Sequence, residues 1–328
     1  MKPGLAIGLG LALVGAFLAS LTLGAASIAP ADALSALFGA GDATLRIIVI
    51  EVRLPRALLA LLIGATLGLS GAALQGLLRN PLAEPGLIGA SAAAALGAVL
   101  VFYSGLAAMF VWALPLGGIL GALAAVGLVW LLAGRSGDSL SLILAGVAVA
   151  SLAGALTALA LNFAPNPFAA SEIMFWMMGS LADRSFEHVW LAAPFMAAGA
   201  WLILRQAPAL DALTLGPDTA RTLGFDMGRT ARGIVLGVAL GVGAATAVAG
   251  AIGFVGLVTP HLLRPLVGYR PRPLLLASAL GGAVLTLFAD IGARLAAPAE
   301  ELKLGVLTAL VGAPFFLYLI YSQRRNPQ

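Results

Sequence analysis

The chain has no cysteine and only two histidines, and Asp, Glu, Lys and Arg together make up 10% of its 328 residues. Without cysteine there are no disulfides and no thiolate metal ligands. His188 and His261 each lack a second ligand-type side chain one helical turn away, so no zinc-hydrolase motif or haem-ligand pair is encoded. Lysine occurs only at Lys2 and Lys303, and neither stands in a Gly-rich phosphate loop, which removes that kind of nucleotide site. The low charge excludes a soluble globular domain, in which about a quarter of the residues are charged. The pI of about 10.0 comes from scattered arginines that form no basic run, so no nucleic acid partner is expected.

Apolar length fills the space these absences leave. With 61% hydrophobic residues and a mean hydropathy of +1.05, the chain reads as an all-α polytopic membrane protein forming a single membrane domain over 1–328. About ten crossings are expected, at roughly 20 residues each. They fall at Leu5–Ala26, Ala57–Leu78, Leu87–Tyr103, Gly117–Leu132, Leu140–Leu161, Val189–Leu204, Gly233–Val248, Phe254–Val267, Leu274–Phe288 and Leu304–Tyr321. A cleaved signal peptide competes for the first, but the span is long for one and is kept as a retained helix. Ser27 to Glu51 reads as an amphipathic connector, and 162–188 as the longest external segment.

Arg53 to Gly89 is the most marked stretch. Arg53-Leu54-Pro55-Arg56 opens a crossing in which Pro55 suits a first helical turn, and Asn80-Pro81-Leu82-Ala83-Glu84-Pro85-Gly86 closes it as irregular backbone. With the N-terminus inside, Lys2, Arg79, Arg135, Arg205, Arg221, Arg229, Arg232, Arg264, Arg270, Arg272, Arg324 and Arg325 lie on the inner side. Only Arg46, Arg53, Arg56, Arg184, Arg294 and Lys303 lie outside, so both termini are expected in the cytoplasm. Arg53 and Arg56 breach that rule, which points to a partner on the outer side. Gly64 and Gly68, Gly117 and Gly121, and Gly237 and Gly241 are spaced for close helix crossings.

Chemistry is sparse. No serine with a histidine on a neighbouring span suggests a membrane-embedded enzyme, and an ion-coupled secondary transporter would need ionisable groups near the midplane, where the chain offers only Gln75, serine and threonine. Uphill transport would therefore draw energy from another subunit. The charged stretch 205–232 supplies a contact for one: 211–224 contains a short helix with Pro217 in its first turn, Asp218 at its positive end and Gly224 as its stop.

These residues together resemble the FecCD-type permease subunits of binding-protein-dependent ABC importers for iron siderophores, haem and vitamin B12. The resemblance rests on Arg53-Leu54-Pro55-Arg56, Ser70-Gly71, Gln75, Asn80-Pro81-Leu82-Ala83, Trp176 with Gly179-Ser180-Leu181, Leu215-Gly216 to Leu223-Gly224, Gly253 to Val258 with Pro260-His261, Ala289-Asp290, Arg294, and Thr308 with Gly312 and Pro314. It implies a two-fold homodimer around a central translocation path lined by the fifth and tenth spans, in the bacterial inner membrane and in contact with its lipid, with no cofactor. It implies docking of a periplasmic substrate-binding protein at Arg53, Arg56 and Arg294. A cytoplasmic gate is implied at Asn80, Pro81, Leu82, Ser139, Leu140 and Ser141. Cytoplasmic ATPase subunits would couple through Leu215, Gly216, Pro217, Asp218, Ala220, Arg221, Leu223 and Gly224. An iron chelate, siderophore or haem, is ranked first as substrate and cobalamin second. Lys303 departs from the proline common in the family and adds charge at the outer mouth.

Overall fold

The computed structural model describes all residues except 25–26, 40, 111, 135–138, 165–166, 298–301 and 326–328. Among the described residues the regular structure is entirely helical. α1 (Pro3–Thr22) is followed by α2 (Pro30–Leu37) and α3 (Ala43–Arg46), and α3 continues through a π-type turn at Ile47–Arg53 into α4 (Leu54–Leu77). A 3-10 turn at Pro85–Ile88 leads to α5 (Ala90–Tyr103), α6 (Leu106–Met109) and α7 (Ala113–Ala133). Next come α8 (Ser139–Asn162), α9 (Pro167–Met177) and α10 (Phe186–Arg205). Two short helices, α11 (Ala207–Leu213) and α12 (Pro217–Thr222), precede α13 (Met227–Ala249), α14 (Val255–Leu263), α15 (Pro271–Ala296) and α16 (Leu304–Arg325).

Among the described residues seven helices are long and apolar enough to cross a membrane: α1, the continuous run Ala43–Leu77, α7, α8, α10, α13 and α15. α5 and the Leu304–Leu319 part of α16 are shorter apolar helices. α13 and the Ala43–Leu77 run form the buried centre, whereas α1 is buried over only 17% of its span and lies at the rim.

Two expectations change. The eighth span, Phe254–Val267, is a helix of 9 residues followed by a 3-10 turn at Pro265–Val267. At about 1.5 Å per residue α14 reaches less than half way across the hydrocarbon layer. Its approach through Gly250–Gly253 is irregular, which membrane depth allows where protein surrounds the backbone. The stretch Ser27–Glu51 is also more than a connector, because helix begins at Ala43 and runs on into the crossing. Pro55 has no N–H and its ring would crowd the carbonyl one turn back. The π-type turn makes room for it, with the Leu54 N–H bonding the Val49 carbonyl.

Lipid gives helices no hydrophobic reason to associate, so close contact is made where side chains are smallest. All three glycine pairs sit at crossings. A Cβ on Gly64 would lie 2.3 Å from the Gly282 carbonyl oxygen, and one on Gly68 would lie 2.0 Å from that of Ser278. Gly117 and Gly121 meet α5 at Gly97 and Ala93, and Gly237 and Gly241 meet α10 at Gly199.

α13 is capped at its N-terminal end by Asp226, whose Oδ1 accepts the Arg229 N–H at 3.0 Å. That bond, together with the charge of the Arg229 guanidinium at 3.1 Å, holds the Asp226 carboxyl below its ordinary 3.8. A folded-state pKa that is depressed means the cap contributes fully above pH of about 4 and is lost as pH falls through the folded-state value. Acidification should therefore raise amide exchange in the first turn of α13 relative to Asp226→Asn, whose cap does not titrate; equal pH dependence in the two chains would refute this.

Candidate functional site

Where α1 ends and α4 begins, three arginines from two helices gather, two of them on one carboxylate and two on one helix terminus. Arg56 Nε donates to Asp290 Oδ1 and Oδ2 at 2.9 and 3.1 Å, and its Nη2 lies 2.9 Å from Oδ1. Arg294 Nε lies 3.1 Å from Asp290 Oδ2, one helical turn along α15. Asp290 is fully buried. Arg294 also donates to the Ser20 and Leu23 carbonyls and to Ser20 Oγ, at 3.1, 2.9 and 2.8 Å. Arg53 Nη1 donates to the Leu21 and Thr22 carbonyls, both at 2.8 Å. The last carbonyls of a helix have no partner within it and carry its negative end, so two guanidiniums cap α1 by hydrogen bond and by charge. Arg53 is therefore buried against α1 and Arg294 partly so, while Arg56, 18% exposed, is the more open of the two side chains on Asp290.

The segment after α9 is woven into the bundle. Ser180 N–H donates to the Ala249 carbonyl at 2.8 Å and Gly305 N–H to that of Gly179 at 3.2 Å. Gly179 and Gly250 both have positive φ, 75° and 73°. A Cβ on Gly305 would lie 2.2 Å from the Met178 carbonyl oxygen, so α16 starts in contact with this segment. Beside the contact is a cavity of about 660 Å³, lined by Met177, Met178, Ala251, Gly253, Ala309 and Pro314 and, among the described residues, by no charged side chain. α16 thus lines an apolar space, and Met177 and Met178 join it from a segment too short for a crossing.

At its C-terminus α4 ends at a turn. Arg79 has φ 50°, Asn80 Oδ1 accepts the Leu82 N–H at 2.9 Å, and the Ala83 N–H returns to the Asn80 carbonyl at 3.1 Å. This folds Asn80, Pro81 and Leu82 into a compact, half-buried knuckle. Leu140 is exposed and Ser141 half-buried at the start of α8, while the side chain of Ser139 lies outside the described residues. α8 packs on the segment after the knuckle through Gly146 against Leu87, about two turns along from Ser139.

α12 presents a surface as well as a cap. Gly216 (φ 103°) and Gly224 (φ 89°) bound the segment, and Ala220 is its buried anchor. Arg221 Nη1 pairs with Asp218 Oδ1 at 2.8 Å in the open, flanked by Leu215 and Leu223, which are 65% and 58% exposed. Two large apolar side chains around a charged pair, on a short helix closed at its C-terminal end by the Phe225 N–H on the Ala220 carbonyl, make a contact face.

Two groupings escaped the sequence. Asp290 and Arg56 are separated by 234 positions, and only the fold pairs them. Gln75, buried in α4, donates to the Leu257 carbonyl at 3.4 Å and accepts a short hydrogen bond from Arg264 Nη2. His188 sits in a capping box with Ser185 at the start of α10, and His261 stacks edge-on against Phe315 of α16. Among the described residues no three His, Asp or Glu side chains converge as a metal centre would require.

The model of the FecCD transport family matches residues 12–322. Vitamin B12 import system permease proteins BtuC from Salmonella typhi and from Salmonella paratyphi A are 40% identical over 319 residues, covering 97% of this chain and 95% of each relative. A solved metal-chelate type ABC transporter in an inward-facing conformation superposes with a TM-score of 0.88 at 33% identity, covering 98% of this chain and all of that one. PsaBC from Streptococcus pneumoniae in complex with Fab shares the fold at a TM-score of 0.58 and 16% identity, over 88% of this chain and 94% of that one.

Proposed function

The chain belongs to the FecCD transport family, and from that premise we propose that it conducts a metal chelate across the bacterial inner membrane as a two-fold dimer, with both termini in the cytoplasm. It is the permease subunit of an ABC importer, and in that family ATP is hydrolysed by a separate subunit. The identity with the BtuC proteins brings cobalamin forward among the candidate chelates, alongside iron siderophores and haem.

The observation that carries the mechanism is α12, a short helix with an exposed apolar and charged face, which we assign to the cytoplasmic side. We assign Leu215 to Gly224 to contact with the ATPase, and Asn80 to Leu82 with Ser139 to Ser141 to the inner gate. α11 ties the two regions to α15, because Asp211 Oδ1 accepts the Arg272 N–H at 2.9 Å. A push on α12 therefore reaches helix ends beside the Asn80 knuckle, in the manner of a rigid-element switch. On the outer side we assign docking of the substrate-binding protein to the arginine cluster. Two guanidiniums share one carboxylate there with Arg53 beside them, and such a basic cluster suits acidic side chains on a soluble carrier.

Reconstitution tests this. Vesicles holding the permease and its ATPase, with binding protein outside, should accumulate cyanocobalamin, a ferric siderophore or haem only when ATP is inside. Accumulation driven by a proton or sodium gradient without ATP would instead favour a secondary transporter. Arg221→Glu places two like charges side by side on α12 and should weaken co-purification of the ATPase about tenfold. Undiminished co-purification would remove α12 from the contact.

A further inference from the structure

We propose that the cavity between the inner ends of α4, α11, α14 and α15 is a phosphate site that holds the headgroup of an anionic phospholipid. The cavity measures about 230 Å³ and is lined by Gln75, Arg79, Thr214, Arg264 and Tyr269, with apolar side chains such as Leu213 and Leu274 for the rest.

The charge is unbalanced. The four ion pairs among the described residues use Arg56, Arg221, Arg229 and Arg294, and neither Arg79 nor Arg264 has a carboxylate partner. Arg264 is half-buried and donates to a single neutral acceptor, Gln75 Oε1. A guanidinium offers more donors than one amide oxygen can take, and its planar fork suits a phosphate. Arg270 and Arg272 add exposed positive charge at the start of α15, and the nearby Asp211 is already engaged by the Arg272 N–H.

The position selects lipid. α4 and α15 are membrane crossings, so their inner ends lie at headgroup depth, where basic pockets between helices hold anionic headgroups. Tyr269, 68% exposed at the rim, is the amphipathic ring that this layer favours. An acidic protein side chain would meet the same arginines, but the largely apolar lining fits a glycerol ester better than a solvated loop. A headgroup here would join Arg79, which begins the Asn80 knuckle, to Thr214 at the end of α11. That consequence rests on the gate and coupling assignments above, whereas the binding itself does not.

The full chain, purified in uncharged detergent, should retain phosphatidylglycerol at one per chain in native mass spectrometry, and its Tm should rise with phosphatidylglycerol but not with phosphatidylcholine. Arg79→Gln, which alters an exposed side chain outside any helix, should lower retention about five- to tenfold, and so should Arg264→Gln. Retention unchanged in Arg79→Gln would overturn the site even if Arg264→Gln failed to fold. An equal Tm rise with inorganic phosphate alone would make it a free-anion site and overturn the lipid assignment. Unchanged lipid retention with weakened ATPase association in Arg79→Gln would give the pocket to the partner protein instead. Because retention is read without transport, failure here leaves the proposed function standing.

Discussion

Replacing Asp290 by asparagine is expected to cost about 3–5 kcal/mol, the usual penalty for removing one partner of a buried ion pair. Among the described residues Asp290 is the only carboxylate in contact with Arg56 and Arg294, and it is fully buried. Asparagine keeps an acceptor but not the charge, so two partly buried guanidiniums would face each other without compensation. Arg294 would then be repelled from the place where it holds the Ser20 and Leu23 carbonyls, and α1, little buried elsewhere, would lose its outer fastening. A fall in Tm of more than about 5 °C and faster amide exchange in the last turn of α1 are the expected readings. Adding Arg56→Gln to the variant should recover part of the loss, since the second change removes the stranded charge. A Tm that does not move would mean that the cluster is solvated and that α1 is held by packing alone.

This cluster also changes what the outward arginines mean. Arg53 and Arg56 breach the positive-inside tendency, which the sequence alone can connect only with an outside partner. The structure supplies a cause within the chain: Arg53 caps α1 and Arg56 neutralises Asp290. Docking of a soluble carrier would thus draw on a cluster already organised by internal contacts, not on free side chains. The sequence shows the charges, and it cannot show partners as far as 274 positions away.

The crossings were legible for a plain reason. A run of apolar residues long enough to span a bilayer has few alternatives, and prolines and glycines mark where such runs stop. α12 was legible on the same grounds, through Pro217 and Gly224. What the sequence hides is which way each helix faces. α7 and α8 are apolar all round, so periodicity carries no signal for the buried side. Only the small residues report it, and the glycine pairs did mark real crossings. α14 was read as a full span because Pro260 and Pro265 interrupt an apolar stretch without making it polar.

Glycine contacts lead to the second large effect. Gly71→Val, and even Gly71→Ala, should abolish accumulation of folded protein. A Cβ on Gly71 would lie 1.8 Å from the Gly256 carbonyl oxygen, 2.5 Å from its carbon and 2.7 Å from its Cα. All three are backbone atoms, so no rotamer change can relieve the clash, and α14 would have to move off α4. That movement would uncover the irregular backbone at Gly250–Gly253, whose polar groups find no water at membrane depth. Overpacking a close contact costs about 1–3 kcal/mol where side chains can shift, and more where only backbone can give. Gly76 on the same helix is the control: its Cβ would meet a flexible Leu210 methyl at 3.3 Å, so Gly76→Ala should fall within about 1 kcal/mol of the parent, helped by alanine's helix preference. The yield of monodisperse protein in size-exclusion chromatography separates the two cases. If Gly71→Ala accumulates like Gly76→Ala, α14 is not seated against α4 as described, and the half-crossing loses its support.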